Sequence, residues 1–396
     1  MRQKAARAAD TLGEQSGFSM IEMLIVMTLF VIILGITVNT STLIFNQSAQ
    51  QAKGAEAQME SVVGLEMLRR DLEQAGYGLP WSFQSTITYN EASVSPASNY
   101  NDSTGGVPRA VAGGTGLTTF VLNNSDYLAI KSAIAGMDSA SQRMSYLLDA
   151  STVKKWGITS EDLADTDNVI IIRPQASETI LKQLVMNGTN FYTSFNTVTG
   201  FPVQAADLIY GISSSNAPRM PFNRADYYVR RPASGTPSLC NSSTGVLYKA
   251  TVNQGSGAGG GQLTEYPLLD CVASMYVVLN LDMNDDGTPG TFSSLPDATT
   301  GFPNVSSPSE GATASTVQAT LGNPELLRKR LKEVRVYLLA QTGQIDTSYI
   351  YPSTTVALGA GTGIPVNFNL SAKIGSNWQN YRWKVYTLVV KPKSLY

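Results

Sequence analysis

The chain has 396 residues with a formal net charge of −2 at pH 7, enough length for one large core or two small ones. It holds no histidine and two cysteines, which removes Ser-His-Asp and Cys-His catalysis, His-ligated zinc and histidine pH sensing together. Low charge with abundant Gly, Ser, Thr and Asn fits an extracytoplasmic β-rich domain with long loops.

Residues 1–17 carry Arg2, Lys4 and Arg7 against Asp10 and Glu14 and contain no apolar stretch. An apolar run of spanning length follows, from Phe18 to Val38, interrupted by a single charge at Glu22. A secretory signal peptide has its apolar core before the cleavage site and loses it on processing. Here a cut after Gly17 retains the apolar run, so the mature protein stays in the membrane. The basic leader predicts a cytoplasmic N-terminus and an outward C-terminal region. A charge at the bilayer centre costs roughly 2.5–3.5 kcal/mol on insertion scales, so Glu22 marks a function or snorkels to the near interface.

The string Gly17, Phe18, Ser19-Met20-Ile21 and Glu22 resembles the processing site of type IV prepilins and type II secretion pseudopilins. That resemblance implies cleavage between Gly17 and Phe18 by a prepilin peptidase and N-methylation of Phe18. It also implies that Glu22 pairs with the new N-terminus of a neighbouring subunit and sets the register of assembly.

From Asn39 to Ala75 there is no proline, and apolar positions recur at Met59, Val62, Leu65, Leu68, Leu72 and Ala75. This spacing predicts one helix face packed on a core, with Gly76-Tyr77-Gly78 and Pro80 as the stop. A helix from Phe18 to Ala75 would be about 85 Å long. The sequence Arg70-Asp71-Leu72 followed by Ala75-Gly76-Tyr77 and Gly78 resembles the helix end of PilW-type minor pilins and, more loosely, of J-type pseudopilins.

Predicted strands are 118–122, 126–132, 169–173, 227–231, 246–252, 272–281, 333–341 and 384–391, rich in β-branched and aromatic residues. Between them lie polar, Gly-rich tracts at 92–116, 252–262 and 286–316, expected as surface loops. No motif period recurs, against a repeat architecture. Blocks such as Asp126-Tyr127-Leu128-Ala129-Ile130 and Tyr227-Tyr228-Val229-Arg230 occur in the order found in PilW-type proteins. The resemblance implies an α+β fold, type IV pilin-like, with a long N-terminal transmembrane and amphipathic helix packed on a large antiparallel β-rich head with long loops. Its expected divisions are a leader at 1–17, a membrane half-helix at 18–38, an amphipathic half-helix at 39–76 and a head at 77–396, as one body or two subdomains.

Asp282, Asn284, Asp286 and Gly287 have the spacing of the first half of a calcium loop, with Ser293 where an acid is expected and Asp285 and Asp297 as further oxygen donors. An Asp-Asn-Gly turn is the other reading. The tract 255–261 lacks the Gly-Lys-Ser/Thr of a phosphate loop and reads as a flexible hairpin loop. Arg328, Lys329, Arg330 and Lys332 follow a helix start at Asn323-Pro324-Glu325 and read as a solvated helix face, no nucleic acid being expected. Cys240 and Cys271 are predicted to form a disulfide outside the cytoplasm. No enzyme signature occurs. The expected role is a minor pilin that initiates or caps a type IV pilus with other minor pilins and the major pilin, with or without a large tip adhesin. A J-type pseudopilin and a tip adhesin are the alternatives, all based in the inner membrane with the head in the periplasm or at a pilus tip.

Overall fold

A computed structural model describes residues 19–395; the expected cleavage and methylation positions, Gly17 and Phe18, lie outside them. The chain opens with helix α1, Met20–Glu73. It divides between Ala55 and Glu56 into two units, the second running from Glu56 onward. The architecture is α+β, an apolar N-terminal helix and a large antiparallel β head.

In the C-terminal unit, the last turns of α1 lie on the main sheet. Gly64 sets the approach: a Cβ there would stand 2.1 Å from the Leu268 carbonyl oxygen. The buried face continues through Leu68, Asp71, Leu72 and Ala75. Val62, expected on that face, is 65% exposed, because the close contact at Gly64 turns its neighbours outward; the Met59 side chain lies outside those described. Gly76 and Gly78 have φ of +84° and +68°, the left-handed conformation that ends a helix without steric cost. The Gly76 N–H then donates to the Lys131 carbonyl at 2.9 Å, and the Ala133 N–H donates to the Tyr77 carbonyl at 2.7 Å.

The main sheet is antiparallel throughout. Its spatial order is Val305–Ser306, Thr291–Ser294, Leu263–Leu281, Gly245–Val252, Asn223–Arg230, Tyr127–Ser132 and Val111–Gly114. Leu331–Thr342 also pairs with the long strand Leu263–Leu281, and Arg382–Val390 pairs with Leu331–Thr342. Period-2 alternation divides its side chains between two cores. Val334, Val336 and Leu338 join Leu68 and Leu72 in the larger one. Tyr337 and Leu339 join Phe368, Leu370 and Trp383 in a second one on the other face. A smaller mixed sheet carries Asn168–Gln175 and Leu208–Ser213 at its centre and a third core around Val169, Ile171, Phe195 and Ile209.

Four further expectations for strands and tracts are corrected, the first being 286–316, which as well as loop holds the mostly buried strand Thr291–Ser294 paired with Leu263–Leu281. The segment 118–122 is turn rather than strand; Asn123 and Asn124 at φ +53° and +59° follow it, and Phe120 packs its ring on Tyr228. The tract 92–116 is more than a surface loop: it contains the 3-10 turn Ala97–Tyr100 with both end residues buried, then the strand Val111–Gly114. The strand expected from 272 begins at Leu263 and continues through a bulge at Cys271, whose φ is +56°.

Candidate functional site

Ser19 and Glu22 form a reciprocal pair at the start of α1. The Ser19 N–H donates to Glu22 Oε2 at 2.9 Å, and the Glu22 N–H donates to Ser19 Oγ at 3.2 Å. This is a capping box, which satisfies backbone donors that a helix start leaves open. The Ser-x-x-Glu spacing of Ser19 and Glu22 is its signal in the sequence, inside the processing motif.

Behind it, Met20–Thr42 is long and apolar enough to cross a membrane, with a mean hydropathy of 2.7. Its polar side chains turn inward along the backbone: the Thr28, Thr37 and Thr40 hydroxyls donate to the carbonyls of Leu24, Ile33 and Ile36 at 2.7–2.8 Å. In hydrocarbon these bonds remove the cost of three unpaired hydroxyls.

Asp71 fastens the end of α1 to the sheet. Its Oδ2 accepts from the Tyr227 hydroxyl at 2.6 Å and sits 2.6 Å from Lys249 Nζ, all three side chains being buried. Burial raises the Asp71 carboxyl above the usual range, against the pull of Lys249 and Tyr227. The Tyr77 ring packs edge-on at 5.3 Å against Tyr210, in the strand Leu208–Ser213.

A larger buried network holds the tract 92–116 to the sheet. Lys131 Nζ lies 2.7 Å from Glu91 and 2.5 Å from Asp102, and Arg224 lies 2.9 Å from Glu91 and 2.7 Å from Asp226. Arg224 also donates to Asn101 Oδ1 and the Ala97 carbonyl, and Arg109 closes on Asp102 at 2.6 Å. Burial works against ionised Asp102, but Lys131 and Arg109 hold it below the usual carboxylate range. Three cations answer three anions and all the Arg224 donors find acceptors, so the network favours one docking of the tract. Only strand alternation could have hinted at it, since Arg224 and Asp226 share a face.

The loop 282–287 and the basic cluster 328–332 meet each other. Asp282 accepts from the Gly287 and Asp286 N–H groups at 2.8 and 3.1 Å, and Asn284 donates to Asp286 at 2.9 Å. Lys329 and Arg330 pair with Asp285 at 3.0 and 3.2 Å, and Lys332 stands 3.7 Å from Asp282. Hydrogen bonds from Arg330 and Lys329 hold the Asp285 carboxyl down to about 2. Arg328 covers the Trp81 ring at 4.0 Å. The cluster is therefore a partner of this loop and of Trp81 rather than a solvated helix face. Asp297 is spent on the Thr299 and Thr300 N–H groups. Among the described residues, no three His, Cys, Asp or Glu side chains converge as a metal site.

Cys240 and Cys271 are joined by a disulfide with Cα atoms 5.0 Å apart.

Residues 13–38 match the family model of the prokaryotic N-terminal methylation motif. No curated protein matches the chain at a significant level. A type IV-like pilin from Thermus thermophilus is similar in structure over 86% of this chain and 98% of that one, at 11% identity and a TM-score of 0.31.

Proposed function

We propose that the protein is a minor pilin of the PilW type, cleaved between Gly17 and Phe18 by a prepilin peptidase and methylated on Phe18. It would enter a complex with other minor pilins that initiates or caps a type IV pilus built of a major pilin. The observation that carries this reading is the matched motif with a spanning apolar run kept downstream of Gly17. The basic leader orients the head to the outer side of the inner membrane.

Glu22 has a defined part in this scheme. Its carboxylate already caps its own helix through Ser19. The amine freed at Phe18 by cleavage of a neighbouring subunit is a stronger partner in a low-dielectric setting, so docking trades a local hydrogen bond for an intermolecular ion pair. The large head suits a subunit present in few copies at one end.

Mass spectrometry of the mature N-terminus tests the processing step: a chain beginning with N-methylated Phe18 is expected, and one beginning at Met1 or cut beyond the apolar run overturns it. Deletion of the gene separates the system served, since loss of pili supports the pilus reading and loss of secretion with normal pili assigns a J-type pseudopilin.

A further inference from the structure

The hairpin loop 253–262 forms one wall of a cleft of about 580 Å³ whose floor is the end of the strands Leu208–Ser213 and Gly245–Val252. Its size falls within the range of small-molecule sites, about 300–1,000 Å³. The glycines of this wall are built in rather than slack. Gly255 and Gly261 have φ of +104° and +76°. The Gly260 N–H donates to the Gly257 carbonyl at 2.8 Å and the Gly261 N–H to the Asn253 carbonyl at 2.9 Å. Arg219 clasps the loop from behind, donating to the Gly255 and Asn90 carbonyls at 3.3 and 3.2 Å while its backbone N–H donates to Gln254 Oε1.

The lining is mostly polar and carries a single charge. Asp138 is its one charged side chain, and that carboxylate is consumed by the Ala140 N–H and by the N–H and hydroxyl of Ser214, at 2.9–3.0 Å. Gln254 and Asn223 are likewise spent, on the Phe222, Ala133 and Ile212 carbonyls and on each other. What remains for a ligand is of one kind. Asn253 gives only its carbonyl oxygen, to the Thr264 hydroxyl, and Asn216 makes only a long side-chain contact of 3.4 Å with Ser215. Ser215, Thr251 and Ser256 add hydroxyls to the lining, and Met137 and the partly exposed ring of Tyr266 add apolar surface.

An anion finds no Lys or Arg in this lining, a cation finds no uncommitted carboxylate, and an apolar molecule would strip water from amides without replacing its hydrogen bonds. A neutral polyhydroxylated ring meets amides and hydroxyls with donors and acceptors of its own and lays a C–H face on an aromatic ring. We propose that this cleft binds a neutral saccharide of one or two rings, with Asn216, Asn253 and Ser256 on its hydroxyls and Tyr266 under one face. The proposal goes beyond the assembly role and does not depend on it.

The test uses the full chain in a detergent without a sugar headgroup. Saturation-transfer NMR is run with galactose, mannose, N-acetylglucosamine, lactose and maltose, and with sialyllactose and inorganic phosphate as anionic probes. At least one neutral sugar is expected to bind and the phosphate not to bind. Tyr266→Ala is expected to weaken binding by roughly tenfold and Tyr266→Phe to retain it. Asn216→Ala, on an exposed turn, is expected to weaken binding with an unchanged melting temperature, which separates a lost contact from a lost fold. The same sugars as immobilised glycan termini distinguish a surface glycan, bound in both formats, from a free sugar, bound only in solution. Failure of every neutral sugar, binding of phosphate instead, or equal binding by wild type, Tyr266→Ala and Asn216→Ala overturns the proposal.

Discussion

At the scale of single residues, two positions show how local geometry decides the sign of a substitution. Gly64 lies in mid-helix, where alanine would ordinarily help by up to about 1 kcal/mol, but its Cβ would meet a backbone carbonyl at 2.1 Å. The helix would have to lift off the strand, and overpacking of that kind costs about 1–3 kcal/mol. Gly64→Ala should therefore lower the unfolding temperature, whereas Gly322→Ala, at a helix end with nothing within 4 Å of the added atom, should leave it unchanged or slightly higher. Asp126 is the second position. It is wholly buried, and burial pushes its carboxyl up to about 7, against hydrogen bonds from the Val277 N–H and the Thr115 side chain. Its charge in turn raises the neighbouring Tyr100 and Tyr276 hydroxyls, each already raised mainly by burial. An acid whose pKa is higher folded than unfolded stabilises fully below its unfolded value, about 3.9, and loses that contribution as pH rises through 7. Asp126→Asn should thus narrow the pH dependence, being more stable than wild type at pH 8 and less favoured relative to it at pH 5. Urea unfolding at the two pH values reads the difference, and parallel curves would count against the assignment.

At the scale of elements, the end of α1 is held by an ion pair that sequence half disclosed. Asp71 was visible within the Arg-Asp-Leu block, but its partners Lys249 and Tyr227 come from strands more than 150 residues away. Removing one member of a buried pair leaves the other uncompensated, at about 3–5 kcal/mol. Asp71→Ala should lose that much stability, and Asp71→Ala with Lys249→Met should recover most of it; no recovery would mean that Asp71 acts through Tyr227 alone. The same contrast explains what could be read in advance. The apolar run, the glycine stop after Ala75 and the central strands rest on local pattern, so their positions were legible. Of the six strands of the smaller sheet only 169–173 was legible; Leu208–Ser213 is interrupted by Gly211, where only glycine admits the Ala140 carbonyl 2.1 Å from a would-be Cβ. The Lys131–Arg224 network and the cleft join segments distant in sequence, and no periodicity records such meetings. The loop 282–287 was legible as a turn and not as the partner of 328–332, which answers its carboxylates with Lys329, Arg330 and Lys332. Since Asp282, Asn284 and Asp286 are hydrogen-bonded within the loop and Lys332 stands beside Asp282, we expect calcium and a chelator to give the same unfolding temperature; a rise with calcium would restore the metal reading.

At the scale of the whole molecule, the head decides how many copies can work together. A pilus shaft repeats one subunit closely, and a repeating subunit gains from a compact head that leaves room for its neighbours. Here the unit from Glu56 onward carries a nine-stranded sheet, a six-stranded sheet and a further two-stranded one, and its disulfide closes a separation of 31 residues, about 3–4 kcal/mol in the chain-entropy model. On the proposed reading such a head, stapled by a disulfide, suits exposure at low copy number better than dense stacking. On that reading it belongs at an end of the fibre, joined sideways to other minor pilins through α1, with Glu22 setting the register. Quantitative proteomics of sheared pili should then find the protein in trace amounts that fall when other minor pilins are deleted. Glu22→Ala should remain in the inner membrane, cleaved, yet be lost from the sheared fraction. Recovery of the protein as the dominant subunit would overturn the minor-pilin reading. Normal recovery of Glu22→Ala would leave the Ser19–Glu22 capping box as the sole role of that carboxylate.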